Sequence, residues 1–262
     1  LPDDFNLLTR PVSYLEIGYE SKDGKEHDVS VSITVSEQLC LDEDIDSPVV
    51  TEKLNFSGLT CMKMGNSVQN PLNRSGDDIR IDWGYFYLAC NSADAVSSEK
   101  DISRSTHISI AAPIKENQPL MYYFAYDDIE SIEYFGKHLR SYWNKDGSPI
   151  TAEIAKAHAD YKTVAKKCAD FADRMFIDSV RAGGEKYAEI LMLALRQTVH
   201  SHKLVLDENG EILFISKENF SNGCAATVDV SYPSIPLYLL YNPELVRGMM
   251  RPIYRFAASD AW

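Results

Sequence analysis

The chain has 262 residues, with 26 Lys plus Arg against 39 Asp plus Glu, a formal net charge of −13 at neutral pH, and 45% hydrophobic residues. That length suffices for one large domain or two ordinary ones. So acidic a balance repels phosphate backbones and argues against nucleic acid as a partner, and no apolar run is long enough to span a bilayer.

The first part of the chain, from about Pro11 to Pro113, reads as strands. Segments 12–19 and 27–35 flank Lys22-Asp23-Gly24-Lys25, a hairpin turn signal. Val29, Val31, Ile33 and Val35 alternate with Ser30, Ser32 and Thr34, the period of a strand with one buried face. Further strands are expected at 49–55, 59–64, 79–88, 106–112 and 118–126. Many short strands at this spacing predict a β-sandwich over residues 1–125. Two short acidic stretches fall in this half. The run Asp42-Glu43-Asp44-Ile45-Asp46 lacks the glycine and distal glutamate of a calcium loop and reads as a solvated acidic loop. Ser75-Gly76-Asp77-Asp78 reads as a turn.

From Asp127 the texture becomes helical, which places a second, α-helical domain over residues 126–262. The boundary falls between Pro113 and Gly147, where persisting aromatics predict a packed connector rather than a free linker. Tyr161, Val164, Cys168, Phe171, Met175 and Val180 recur close to helical spacing, and Gly183-Gly184 stops that helix. A second helix, about 185–201, presents Tyr187, Ile190, Leu191, Ala194 and Leu195, so the pair forms a helical hairpin. Segment 204–215 is a β-hairpin around Asn209-Gly210, and Asn242-Pro243 starts a further helix with Asn as its cap. Five cysteines without CxxC spacing predict no zinc site, and Cys168 on its apolar stripe is expected to be buried. Asn55, Asn73 and Asn219 match the short glycosylation acceptor pattern, which also arises by chance. The chain opens at Leu1 with no basic-then-apolar leader and ends at Trp262 in a patterned segment, so both ends are expected to be cut from something longer.

The most informative stretch is the polar loop from Lys217 to Gly223, held between an apolar strand and a proline-punctuated segment. A polar loop pinned at both ends is how a rigid scaffold presents a ligand site. Glu218 suits acid/base work or the holding of an ammonium group. Asn219 and Asn222 offer amide donors, and Lys217 a cation. Ser221 would be a nucleophile only with a base beside it, which the sequence does not assign. The competing reading is an Asn-Gly turn with solvated or paired charges. Asp229, between two valines, lies either on an exposed side or buried with a partner, and a buried acid in a cleft is a functional candidate. Arg196 and His200 share a helix face, where Arg196 is either a fork for a substrate carboxylate or a member of an ordinary helix-face pair or structural ion pair. His200-Ser-His202 straddles a helix end and lacks a third metal ligand.

Four segments, 4–14 (Asp-Phe-Asn-Leu-Leu-Thr-Arg-Pro-Val-Ser-Tyr), 76–85 (Gly-Asp-Asp-Ile-Arg-Ile-Asp-Trp-Gly-Tyr), 126–136 (Tyr-Asp-Asp-Ile-Glu-Ser-Ile-Glu-Tyr-Phe-Gly) and the long run 194–255, resemble the glutaminase A family. The resemblance implies an α+β multidomain protein: a β-sandwich followed by the first helical hairpins of an (α/α) six-hairpin barrel. It also implies that the barrel is incomplete here, since the Phe-Ala-Pro-His-Asp-like motif of the family is absent, and that the chain alone lacks part of its catalytic groups. The implied parent is a secreted or periplasmic amidohydrolase turning L-glutamine into L-glutamate and ammonia. Its partner is a small amide substrate, and its chemistry requires no metal and no organic cofactor. The residues that would serve it are Glu218 and Asp229 for catalysis, with Arg196, Lys217, Asn219 and Asn222 for substrate. A glycoside hydrolase with paired carboxylates, or a non-enzymatic binding module, is the rival reading. A partial barrel would expose helix faces, from which self-association is expected.

Overall fold

The computed structural model describes residues 1–42, 48–101, 104–217 and 222–260. In chain order its strands are β1 (Val12–Ile17), β2 (Val29–Ser36), β3 (Val49–Phe56), β4 (Leu59–Asn66), β5 (Tyr85–Cys90), β6 (Ala95–Lys100), β7 (Thr106–Ile114), β8 (Leu120–Asp127), β9 (Ile132–Tyr134), β10 (Lys137–Leu139), β11 (His202–Leu206) and β12 (Ile212–Ser216). Its helices are α1 (Phe5–Thr9), α2 (Ile150–Gly183), α3 (Glu185–His200), α4 (Val228–Ser231), α5 (Ile235–Tyr241) and α6 (Pro243–Ala257). The chain is therefore α+β, with antiparallel sheets first and helices after.

Two antiparallel sheets, ordered β1-β8-β5-β4-β3 and β2-β7-β6, form the first half. They face each other across one core. Met62, Met64, Phe86, Leu88 and Tyr122 of the larger sheet meet Ile108, Ile110 and Ala112 of the smaller one. Strand β2 contributes the valines and isoleucine of its alternating pattern from one face only. Strands β5 and β8 read as continuous apolar runs because both of their faces are covered. Tyr87, Ala89, Tyr123 and Ala125 point the other way, onto Ile150, Ile154 and Ala157 of α2 and onto Trp143. Burial pushes the thiols of Cys40 and Cys61 up to about 12.

Four expectations need correction. Segments 12–19 and 27–35 do not form a hairpin: β1 pairs with β8 in one sheet and β2 with β7 in the other. The turn signal is real, since Asp23 accepts bonds from Ser21, Lys25 and His27 and Gly24 has φ +68°, but the turn carries the chain between layers. A register fixed by burial overrides a local turn preference. The strand expected to begin at Ile79 begins at Tyr85, after a loop tied down by Arg74, which bonds both Asp42 and Asp82. Asp42 is accordingly buried rather than solvated, while residues 43–46 of the acidic run lie outside the described residues. Cys168 is exposed, because α2 leaves the sheet beyond its first turns and its middle projects into solvent.

The connector between the halves is packed, as its aromatics suggested. Ile132 and Tyr134 of β9 cover one face of the β11–β12 hairpin at Val205, Leu213 and Ile215. The opposite face of that hairpin, Leu204 and Phe214, packs on Tyr238, Leu245 and Met249 of α5 and α6. Asn242 caps α6 through its side-chain oxygen, which accepts from Glu244 N, and its amide nitrogen donates to the Pro2 carbonyl. Helices α2 and α3 form the expected hairpin, turned by Gly184 at φ +85°. Ile190, Leu193, Leu239 and Leu240 of α3 and α5 are exposed, and no helix is long and apolar enough to cross a membrane among the described residues.

Candidate functional site

The β11–β12 hairpin organises the region that the polar loop enters. Its register pairs His202 with Ser216 and Lys203 with Ile215, and Lys217 N donates to the Ser201 carbonyl one step further along. Cross-strand partners share a face, so Lys203 and Lys217 lie on one side as diagonal neighbours. Beneath them is Asp128, which is buried; Lys203 Nζ donates to its Oδ2 at 2.8 Å and Ser131 Oγ to the same oxygen at 2.7 Å. Asp128 is held in turn by the sandwich, since Trp83 Nε1 donates to its carbonyl. Gly84 sits against the Asp127 carbonyl and Asp128 Cα, where a Cβ would not fit.

These charges shift one another. Burial alone would raise the Asp128 carboxyl, but the Lys203 charge and hydrogen bond, the Ser131 hydroxyl and the Lys217 charge outweigh it and hold it below the usual carboxylate range. Lys217 is lowered by burial and by Lys203, against the pull of Asp128. Asp127, next in sequence, moves the other way, raised chiefly by burial.

On the other side of the hairpin, buried His202 stacks on Phe214 with ring centroids 4.4 Å apart and meets Tyr238 edge-on at 5.9 Å. Its Nδ1 donates to the Thr198 carbonyl, which leaves Nε2 as the bare acceptor of a neutral ring. Burial lowers its pKa. A cleft of about 520 Å³ opens here between the N-terminal segment and the helical half, lined among others by Leu8, Arg10, Asp128, His200, His202 and Lys203. Arg10 braces its wall through two bonds of 2.8 Å to Asp160 of α2 and a third to Tyr14.

The sequence-derived candidates are placed as follows. Lys217 belongs to the charge cluster. Glu218 and Asn219 lie outside the described residues. Asn222 turns the chain, its side-chain oxygen accepting from Cys224 N, and the loop closes with a bridge between Lys217 and Ala225. Asp229 is exposed on α4, a turn pinned to β12 by the buried Ser216–Ser231 hydroxyl pair. Arg196 is exposed on α3, one turn from His200 of the cleft lining. Sequence reasoning passed over Asp128 and Lys203. Asp128 was legible only as part of the segment 126–136, and Lys203 only as the residue after His200-Ser-His202. Among the described residues, no group of three or more His, Cys, Asp or Glu side chains is arranged to hold a metal ion.

Comparison with known proteins bears on all of this. Residues 184–262 match the glutaminase A six helical-hairpin domain. Along its whole length the chain is 27% identical to Glutaminase A of Aspergillus oryzae. Both findings support the glutaminase A family for this chain. Residues 1–112, which hold most of the sandwich, match a domain of unknown function, DUF5127. A second relative, named as a probable glutaminase of Arthroderma benhamiae, is 29% identical over 35% of the chain. The chain spans 42% of the length of the first relative, and the match to the second covers 11% of that protein. The β11–β12 hairpin and the Lys203–Lys217 pair fall within the matched six-hairpin segment of the family, whereas Asp128 lies between the two matched segments.

Proposed function

We propose that this chain forms part of the substrate site of an amidohydrolase that converts L-glutamine into L-glutamate and ammonia. The observation that carries the reading is the similarity to Glutaminase A over the full chain. The charge cluster supports it: the α-carboxylate of an amino acid calls for a cation, and Lys217 at the base of the polar loop supplies one.

In this reading water adds to the side-chain amide carbon of glutamine, the C–N bond breaks, and the nitrogen leaves as ammonia with the proton taken from water. Glu218 takes that proton, Asn219 and Asn222 donate to the amide oxygen, and Lys217 and Arg196 draw the α-carboxylate. Asp229 supports the loop from α4. The chain spans 42% of the first relative's length, so the turnover proposed here is that of the whole protein. The test is ammonia release from L-glutamine by that protein, with Glu218→Gln alongside. The expected loss is about a hundredfold or more in kcat, in the range for general acid–base groups. Turnover untouched in the variant removes Glu218 from the chemistry, and absence of ammonia release from the parent overturns the reading itself.

A further inference from the structure

We infer that Lys203 and Lys217 form a binding site for the carboxylate group of a small molecule, with Asp128 as the residue that positions it. Three observations lead there. First, the register of the β11–β12 hairpin puts both lysines on one face as diagonal neighbours. Second, the charges do not cancel. Among the described residues Asp128 is the one carboxylate that acts on Lys217, and its Oδ2 is already taken by Lys203 and Ser131. Lys217 Nζ has no hydrogen-bonding or ion-pair partner among the described residues, so the cluster carries one positive charge in excess. Third, the excess sits in a place that water serves poorly, because Lys217 is largely withdrawn from solvent at the base of the loop. An unpaired, partly desolvated ammonium is costly to a fold and gains most from an arriving anion.

Access is available from the cleft, whose lining includes both Asp128 and Lys203. The Lys203 side chain is 39% exposed, against 9% for Asp128. A carboxylate entering from the cleft therefore meets the ammonium of Lys203, whose diagonal neighbour in the hairpin register is Lys217. Asp128 stays behind Lys203 and holds its ammonium in place. A phosphate would also be attracted, but a planar carboxylate with two acceptor oxygens matches two ammoniums without needing further donors. Lys203 and Asp128 go beyond the residues assigned above. Only the naming of glutamine rests on the amidohydrolase reading.

The experiment is calorimetric titration of the 262-residue chain with L-glutamine, with the α-amide of L-glutamine, which lacks the carboxylate, and with succinate. We expect the α-amide to bind at least tenfold more weakly than glutamine. Lys203→Met and Lys217→Met should each abolish that difference, and Lys217→Arg should keep it. Far-UV spectra and unfolding midpoints establish that each variant is folded. Equal binding of the two glutamine ligands by the wild type, or a tenfold preference surviving in folded Lys217→Met, overturns the site, as does failure of all three ligands to bind. Succinate separates this proposal from the one before it. Lysine-dependent binding of succinate, in a protein whose longer form releases no ammonia from glutamine, keeps the carboxylate site and discards the glutaminase reading.

Discussion

Gly223 lies directly on the backbone of Gly76: a Cβ at position 223 would stand 2.6 Å from the Gly76 carbonyl oxygen and 3.0 Å from its nitrogen. The loop carrying Asn222 thus rests on a loop of the β-sandwich, and the contact is backbone on backbone, with no side chain that can swing away. Gly76 is itself at φ +137°, a conformation that other residues rarely adopt. Gly223→Ala is therefore expected to push the two loops apart at a cost of about 1–3 kcal/mol, the range for overpacking a tight contact. The urea midpoint should fall while the slope stays constant. Carboxylate binding should weaken with it, because the loop closes on Lys217 through its bridge to Ala225. An unchanged midpoint would mean that the loops do not meet in solution.

Arg10 joins the N-terminal segment to α2 by its fork on Asp160, and it also donates to Tyr14. Its side chain is 10% exposed, so removal of Asp160 leaves a guanidinium with little water to turn to. Asp160→Asn is expected to cost about 2–3 kcal/mol, below the 3–5 typical of a fully buried pair because Asp160 is 39% exposed. Arg10→Met removes the charge along with its need for a partner and should cost less. A double-mutant cycle should then give a coupling of about 1–2 kcal/mol, and a coupling near zero would show the fork to be ornamental to stability.

How much of this was legible beforehand depended on whether the deciding force was local. The alternation of Val29, Val31, Ile33 and Val35 against serines and threonine can only serve a one-sided strand, and β2 is one. Asn242-Pro243 and Gly184 were readable because capping and helix termination are decided by a few neighbouring residues. The pairing of β1 with β8 was not, because partner choice in a sandwich is set by which faces are buried across more than a hundred residues of chain. Lys217 drew notice because it sits in a visibly polar loop. Asp128 did not, since its importance comes from Lys203, 75 residues away. Charge clusters assembled across a fold leave no spacing in the sequence to read.

Acid stability should fall in two stages. His202 has its pKa lowered by burial, so as pH falls below about 6.5 the unfolded chain takes up a proton that the folded chain resists. Protons then bind the unfolded state in excess, and stability falls with falling pH until the folded value is passed. Asp128 follows at lower pH. Its carboxyl is held below the ordinary value of about 3.9, so the stability it gains from Lys203 and Ser131 is whole above that value and is lost as pH falls through the depressed one. Urea unfolding between about pH 3 and about pH 8 should show both slopes. His202→Asn, which can keep a donor near the Thr198 carbonyl, should flatten only the first, and Asp128→Asn only the second.

Lys217→Met is expected to stabilise the protein. The methionine keeps most of the apolar stem and removes an ammonium that burial and Lys203 both disfavour. A lysine whose folded pKa is lowered works against the fold while protonated. Between its folded value and the ordinary value of about 10.4, the unfolded chain binds more protons, so stability rises with pH there. At neutral pH the substitution should add about 1 kcal/mol, less than the several kcal/mol at stake for a fully buried charge, because Lys217 keeps some contact with water and some attraction to Asp128. Differential scanning calorimetry at neutral pH and again near pH 10 checks both parts of the argument. The gain over wild type should shrink as Lys217 itself gives up its proton. A loss of stability at neutral pH would show that Lys217 serves the fold rather than straining it, and would remove the physical ground for reading its uncompensated charge as a place kept for a ligand.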